Sequence, residues 1–341
     1  MRLIPTQMSI ACYAGPGGPE VVIEQRRQVP QPAPGEVLIE VVAAGLNRAD
    51  VLQREGHYPP PVGESDIPGL EVSGRVVDWG PGVDPDLFPG GEPVVALLGS
   101  GGYAQYVCVP AGQVLPAPKG LDLVAAGALM EVASTVVSNL SLTVPVQPGQ
   151  WVLVHGGSGG IGTFALQYLR ARGARPLATV SSPAKAEWAL RFGAEAAINY
   201  REEDFVERVG ELTGGHGADV ILDVVGAKYL TRNVTALAAD GRLVNIGLSG
   251  GTRAELDLGR LLAKRAGVIG TGLRSRSAAD KERIVQQVHR EVWPLLASGQ
   301  LTVPVERRFP LSQAREAHEY FDSGAHLGKV ALLAGPDPSS R

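Results

Sequence analysis

Gly157, Gly159 and Gly162 stand in the spacing G-x-G-x-x-G within His155-Gly156-Gly157-Ser158-Gly159-Gly160-Ile161-Gly162. The apolar run Trp151–His155 comes directly before them, and residues 163–171 follow with helical spacing. In that setting each glycine has a use. Gly157 permits the tight turn, Gly159 lets a diphosphate approach the backbone, and Gly162 lets helix and strand pack closely. Free N–H groups and the dipole at the helix start favour the diphosphate charge. The pattern alone is weak in a chain with 44 glycines. The strand before it and the helix after it make it a dinucleotide cradle.

The next question is which dinucleotide. An NAD-type site ends its second strand in Asp or Glu, about 20 residues beyond the glycines. Here that strand ends Thr179-Val180-Ser181-Ser182-Pro183, without an acid, and Lys185 follows. Hydroxyls and a cation suit a 2′-phosphate, so NADP(H) is expected, with Ser181 as a hydrogen-bond donor and Lys185 carrying the preference.

The elements that must position this chemistry fall into three stretches. Residues 36–42, 72–77 and 94–98 are rich in β-branched residues and separated by Pro and Gly turns, so residues 1–130 read as a β-rich domain. From 131 to 269 strands and helices alternate. The strands are Trp151–His155, 177–180, 220–225, 243–246 and 268–273, the last of which runs past the boundary. The helices are 163–171, 184–192, 202–212 and 229–238. This alternation predicts a parallel, doubly wound α/β sheet. Residues 270–341 carry a long helix, Ala278–Ala297, which Pro294 should kink or end. A helix N-capped by Ser312 and a strand at 330–333 follow. This last piece is expected to pack back on the first.

Bulk properties exclude several classes. A net charge of −4 does not suit phosphate tracking, so no nucleic-acid partner is expected. Two cysteines, Cys12 and Cys108, allow neither a disulfide framework nor a four-cysteine zinc lobe, and both read as buried thiols. The start of the chain lacks a long apolar region, and no run of about 18 apolar residues exists. Neither a secretion signal nor a membrane span is expected, and a cytoplasmic location follows.

The segments Asn47-Arg48-Ala49-Asp50, Gln53-Arg54-Glu55-Gly56-His57-Tyr58-Pro59 and Gly69-Leu70-Glu71-Val72-Ser73-Gly74 resemble the front domain of zinc-free quinone oxidoreductases. Gly193-Ala194, Ala197-Ile198-Asn199-Tyr200, Leu222-Asp223-Val224-Val225-Gly226, Asp240-Gly241-Arg242, Gly272-Leu273-Arg274-Ser275-Arg276 and Leu327-Gly328-Lys329 are similar to that family's coenzyme domain. The likeness runs from about Gly15 to Leu333. It is closest to the p53-inducible subgroup of this medium-chain dehydrogenase/reductase family. It implies a GroES-like catalytic domain, a Rossmann coenzyme domain, an active site in the cleft between them, and a homodimer paired through the strand at 268–273. It implies further cofactor contacts from Ser158, Gly160, Ile161, Val225, Gly247 and Leu273, and a tyrosine, Tyr200, near the 2′-phosphate. Thr135 is implied at the nicotinamide carboxamide. The family's Pro-Glu-Ala-Trp-Leu-Thr-Ala reads Met130-Glu131-Val132-Ala133-Ser134-Thr135-Val136 here, so a bulky aromatic is missing.

The same likeness predicts no metal. Zinc-dependent relatives carry Cys-His-x-Asp and Gly-His-Glu where this chain has Asn47-Arg48-Ala49-Asp50 and Gly69-Leu70-Glu71, and Leu70 offers no lone pair. Without a Lewis acid, an acceptor must delocalise incoming charge itself, as quinones and enones do. Tyr58 is expected to line the acceptor site, with Asn47 as an orienting donor and Asp50 either catalytic or structural. The leading expectation is NADPH-dependent quinone reduction. Reduction of an enone or alkenal double bond is the alternative, and a non-catalytic, crystallin-like cofactor binder the second.

Overall fold

The computed structural model describes residues 3–335. Its strands are β1 (Gln7–Tyr13), β2 (Val22–Gln28), β3 (Glu36–Leu46), β4 (Glu71–Trp79), β5 (Pro93–Leu97), β6 (Tyr106–Pro110) and β7 (Val114–Pro116). Next come β8 (Trp151–His155), β9 (Arg175–Val180), β10 (Ala196–Asn199), β11 (Ala218–Asp223), β12 (Leu237–Asn245) and β13 (Gly267–Gly270). β14 (Val305–Pro310) and β15 (Lys329–Leu333) close the series. Contacts divide the chain into two units. One holds the residues up to Ser134, Leu273–Ser298 and Val303 onward; the other holds Thr135–Gly272 with Gly299–Thr302.

The β-rich unit is built on β3, whose β-branched run suits a half-buried pleated surface. Its sheet runs β14-β15-β3-β4-β5-β7, with β6 also on β3 and β1-β2 as a separate hairpin. Val37, Ile39, Val41, Ala44 and Leu46 of β3 are buried in one core with Val72, Val94, Val330 and Leu332. Antiparallel register sets Val330 opposite Leu46 and Val72 opposite Ala44. Lys329 and Glu71 therefore emerge beside the end of β3, where Asn47 begins the helix Arg48–Arg54.

The other unit is a parallel six-stranded sheet of order β10-β9-β8-β11-β12-β13. Counted within the unit this is 3-2-1-4-5-6, the doubly wound Rossmann order. All five residues of β8 are buried, as expected for a central strand covered on both faces.

Several sequence expectations need correction. Pro294 does not end its helix, which continues to Ala297, with Ser298 N–H still bonding to Pro294 O. It lies in the last turn, and the helix closes a few residues later with its end bond made. Ser312 is not an N-cap; it lies inside the 3₁₀ turn Leu311–Gln313, and the helix Ala314–Asp322 starts after it. The strand expected at 268–273 ends at Gly270. Cys108 is half-buried rather than buried. No helix among the described residues is long and apolar enough to cross a membrane.

Candidate active site

In the parallel unit, β8 runs straight into the glycine turn and the helix Gly160–Ala171. Gly159 is its N-cap and supplies no side-chain cap, which leaves the first amides free for an anion. A Cβ on Gly159 would have only Gly156 O nearby, at 3.7 Å, so the space over it is open. A Cβ on Gly162 would lie 2.3 Å from Gly156 O, and one on Gly157 2.6 Å from the Ala178 methyl. The left-handed residue of the turn is Gly156, with φ +75°. The turn thus depends on Gly156, while Gly157 is required for packing on β9. His155 anchors the turn from below, its ring nitrogens 2.9 Å from Thr179 Oγ1 and 2.8 Å from Asn233 Oδ1. Burial lowers its pKa and keeps it neutral.

The remaining coenzyme positions lie at the carboxyl ends of the strands, where open α/β sheets bind ligands. Ser181 follows β9, Val225 lies two residues beyond β11, and Gly247 two beyond β12. Ser158 is buried in the turn and Ile161 half-buried in the helix that Gly160 opens. Ser182, rather than Ser181, caps the helix Pro183–Arg191, its Oγ accepting from Lys185 N–H at 3.4 Å. Lys185 has its pKa lowered by burial and then by Arg201. Arg201 follows Tyr200, whose N–H bonds to Val180 O and whose side chain is exposed. Two cations therefore stand near the end of β9, and sequence reasoning found one of them. Thr135 is buried, its carbonyl accepting from Asn139 Nδ2 at 2.8 Å. Leu273 is buried and belongs by its contacts to the β-rich unit.

In the β-rich unit, Asn47, Asp50, Glu71, Glu131 and Lys329 form one polar cluster. Lys329 Nζ donates to Asn47 Oδ1 and to Glu71 Oε1, both at 2.7 Å. Asn47 Nδ2 donates to Glu71 Oε1 at 2.8 Å and Gly45 O at 3.3 Å. Glu71 Oε2 accepts the backbone N–H of Glu131 at 2.9 Å. Position 45 must be glycine, since a Cβ there would lie 2.1 Å from Glu71 Oε1. Asn47, expected to orient a substrate, has its whole amide committed to this cluster.

Asp50 is fully buried and makes no ion pair with an arginine among the described residues. It accepts from Asn47 N–H at 2.8 Å, Gly69 N–H at 3.2 Å and Tyr103 Oη at 3.1 Å. Burial pushes its pKa up to about 6 against those hydrogen bonds. Glu131 is raised further, to about 8, by burial and then by the charge of Glu71.

Tyr58 is half-buried and His57 exposed. Arg274 fixes the Tyr58 loop: it is buried, donating to Tyr58 O at 3.0 Å, Gln53 Oε1 at 2.7 Å and Gly99 O at 2.7 Å. Its guanidinium also lies 5.3 Å from the centroid of the Tyr58 ring. The role of Arg274, open in the sequence, is thus to tie the Tyr58 and Gly99 loops to the helix Arg48–Arg54. Glu71 and Lys329 were visible only as letters in two short motifs; nothing local says that they meet.

A Rossmann sheet with a glycine cradle, in one chain with a GroES-like β-unit, defines a medium-chain dehydrogenase/reductase. Comparisons agree. Residues 33–119 match the alcohol dehydrogenase GroES-like domain, and residues 160–290 the zinc-binding dehydrogenase family. Quinone oxidoreductase 1 of Escherichia coli is 33% identical over 319 residues, covering 93% of this chain and 97% of that protein. A 2-haloacrylate reductase from a Burkholderia species is 32% identical, over 93% of this chain and 96% of its own length. The crystal structure of Escherichia coli quinone oxidoreductase complexed with NADPH matches with a TM-score of 0.86 at 33% identity, covering 95% of this chain and 99% of that one. The chain belongs to the quinone oxidoreductase family of these dehydrogenases, and it is an oxidoreductase.

Proposed function

We propose that the chain reduces quinones with NADPH and without zinc. The observation that carries this reading is the Lys329 ammonium, bonded to both Asn47 and Glu71. A fixed cation already sits on the oxygens a metal would need, and Leu70, next to Glu71 in the chain, offers no donor. A cysteine–histidine set is missing, so the residues do not fit zinc. The acceptor must then spread incoming negative charge over its own conjugated system.

The coenzyme residues do fit NADPH. The Gly159–Ile161 turn and helix start would hold the diphosphate, and Lys185 with Arg201 the 2′-phosphate, with Ser181 and Tyr200 beside them. Thr135 would take the carboxamide, and Val225 and Gly247 would flank the dinucleotide. Bound NADPH supplies a hydride. The protein aligns the acceptor and excludes water, with Tyr58 lining the acceptor side.

The test is steady-state NADPH oxidation against a panel of quinones and a panel of enones, with elemental analysis of the same sample. Quinone turnover without stoichiometric metal, unchanged by chelators, is expected; about one zinc per chain overturns the zinc-free reading. The likeness to a 2-haloacrylate reductase favours a second reading, reduction of a polarised double bond. Turnover confined to the enone panel would install it.

We also propose a homodimer through β13, which pairs only with β12 among the described residues and exposes Val268. An uncovered apolar edge is a pairing surface. A monomeric mass by light scattering at micromolar concentration would refute it. The two unpaired cysteines suit the reducing cytoplasm.

A further inference from the structure

We propose that Glu131 is the acid that protonates the reduced acceptor. The inference rests on reading this site as one that reduces a quinone or enone. Three carboxyl groups meet in the cluster, and their surroundings differ. Asp50 is wholly buried and accepts two amides and a phenol. Glu71 is wholly buried and accepts from Lys329, Asn47 and the Glu131 amide. Neither has a free oxygen facing outward.

Glu131 is held by its backbone instead. Its N–H is tied to Glu71 Oε2 at 2.9 Å. Its carboxyl makes no hydrogen bond or ion pair with any described residue, and the residue keeps accessible surface. Around it stand Glu71 on β4, Lys329 on β15, Asp50 on the helix Arg48–Arg54, and Arg274. Tyr58 and Lys281, on the helix Ala278–Ala297, feel its charge as well. Thr135 follows four residues on in the helix Met130–Val137, one turn away.

The two neighbouring cations do not neutralise Glu131. Lys329 is already paired with Glu71, and Arg274 is committed to carbonyl and amide oxygens. Burial and the nearby Glu71 charge therefore dominate and raise the Glu131 pKa to about 8. Both effects favour the protonated acid, the form that a proton donor needs.

Bound NADPH would supply a hydride, two electrons and one hydrogen, to the acceptor and would leave as NADP⁺. The O–H bond of Glu131 breaks and its proton goes to the resulting anion, completing the quinol or the saturated ketone. The Glu131 carboxylate then regains a proton from solvent.

Glu131→Gln keeps shape and hydrogen bonding but cannot donate a carboxyl proton. It should lower kcat by about a hundredfold or more, the range for general acid catalysis. It should leave the NADPH dissociation constant unchanged by fluorescence titration. Wild-type kcat should fall as pH rises through about 8, the raised pKa of Glu131, and the variant should lose that limb. Infrared titration of the cofactor-free protein should show a carboxylic acid band lost near the same pH and missing in the variant. An active Glu131→Gln enzyme with wild-type kcat and pH profile overturns the proposal and leaves the functional reading intact. A wild-type protein that turns over neither panel overturns the functional reading, and the proposal with it. If Glu131→Gln fails to fold, Glu131→Asp carries the test, because a shorter acid should slow turnover and move the limb; an unmoved limb at full rate overturns the proposal.

Discussion

The glycine turn proposed to hold the coenzyme is one continuous stretch, 155–162, and leads into a helix whose N-cap, Gly159, makes no side-chain cap. The polar cluster of the β-rich unit draws Asn47, Glu71, Glu131 and Lys329 from four separate stretches, and Lys329 meets Asn47 across 282 residues of sequence. The first site is a property of a turn and can be recognised from glycine spacing. The second is a property of sheet register: β15 on one side of β3 and β4 on the other set a lysine and a glutamate beside the same asparagine. A backbone site tolerates side-chain change but not added Cβ atoms. A side-chain site fails when one partner is removed.

That contrast is most easily broken at Lys329. Lys329→Met should leave the buried Glu71 carboxylate without its cation, at a cost of about 3–5 kcal/mol. The expected result is a large fall in thermal stability by calorimetry, substantially recovered in the double variant Lys329→Met/Glu71→Gln. No recovery would show that the lysine stem, rather than the charge pair, matters.

Next in size is the coenzyme side. Lys185→Ala should weaken NADPH binding by about 1.5–3 kcal/mol, roughly ten- to hundredfold. NADH should be nearly unaffected, since it has no 2′-phosphate. Arg201→Ala should act in the same direction, and both effects should shrink at high salt. Fluorescence titration with both cofactors decides this. Equal weakening of both would return Lys185 to a structural role, and a wild-type preference for NADH would reject the cofactor assignment.

A smaller effect is expected at Tyr58. Tyr58→Phe keeps the ring beside Arg274 and removes one hydroxyl, so quinone turnover should fall by about 1 kcal/mol in barrier, roughly fivefold. NADPH affinity should stay constant. Unchanged turnover would leave the residue with packing alone.

A pH-dependent effect on stability, absent at neutral pH, is expected in the β-rich core. Burial, and then Arg54 at 3.1 Å, hold the His318 imidazole neutral, with its pKa lowered from 6.5 to about 3. The unfolded chain therefore binds a proton there that the folded chain does not. Its contribution to stability is complete above about pH 6.5 and is lost as pH falls toward 3. Denaturant midpoints between those pH values should fall less steeply in His318→Gln. An identical slope would exclude His318 as a source of acid sensitivity.

By itself the sequence determined the parts that rest on local periodicity. The run Trp151–His155, the glycine spacing and the alternation after it specify a strand, a cradle and a doubly wound sheet, because backbone conformation and helix dipoles act over a few residues. The missing acid after Val180 and the presence of Lys185 were equally plain. Tertiary structure alone decided the rest. It placed Arg201 near Lys185, committed Asn47 and Asp50 to internal hydrogen bonds, and gave Arg274 two loops and a helix to hold. It also left the Glu131 carboxyl, alone within the polar cluster, without a hydrogen-bond partner among the described residues. The physical reason is that desolvation and charge pairing depend on which strands become neighbours, and a single residue of register would carry Lys329 to the other face of the sheet.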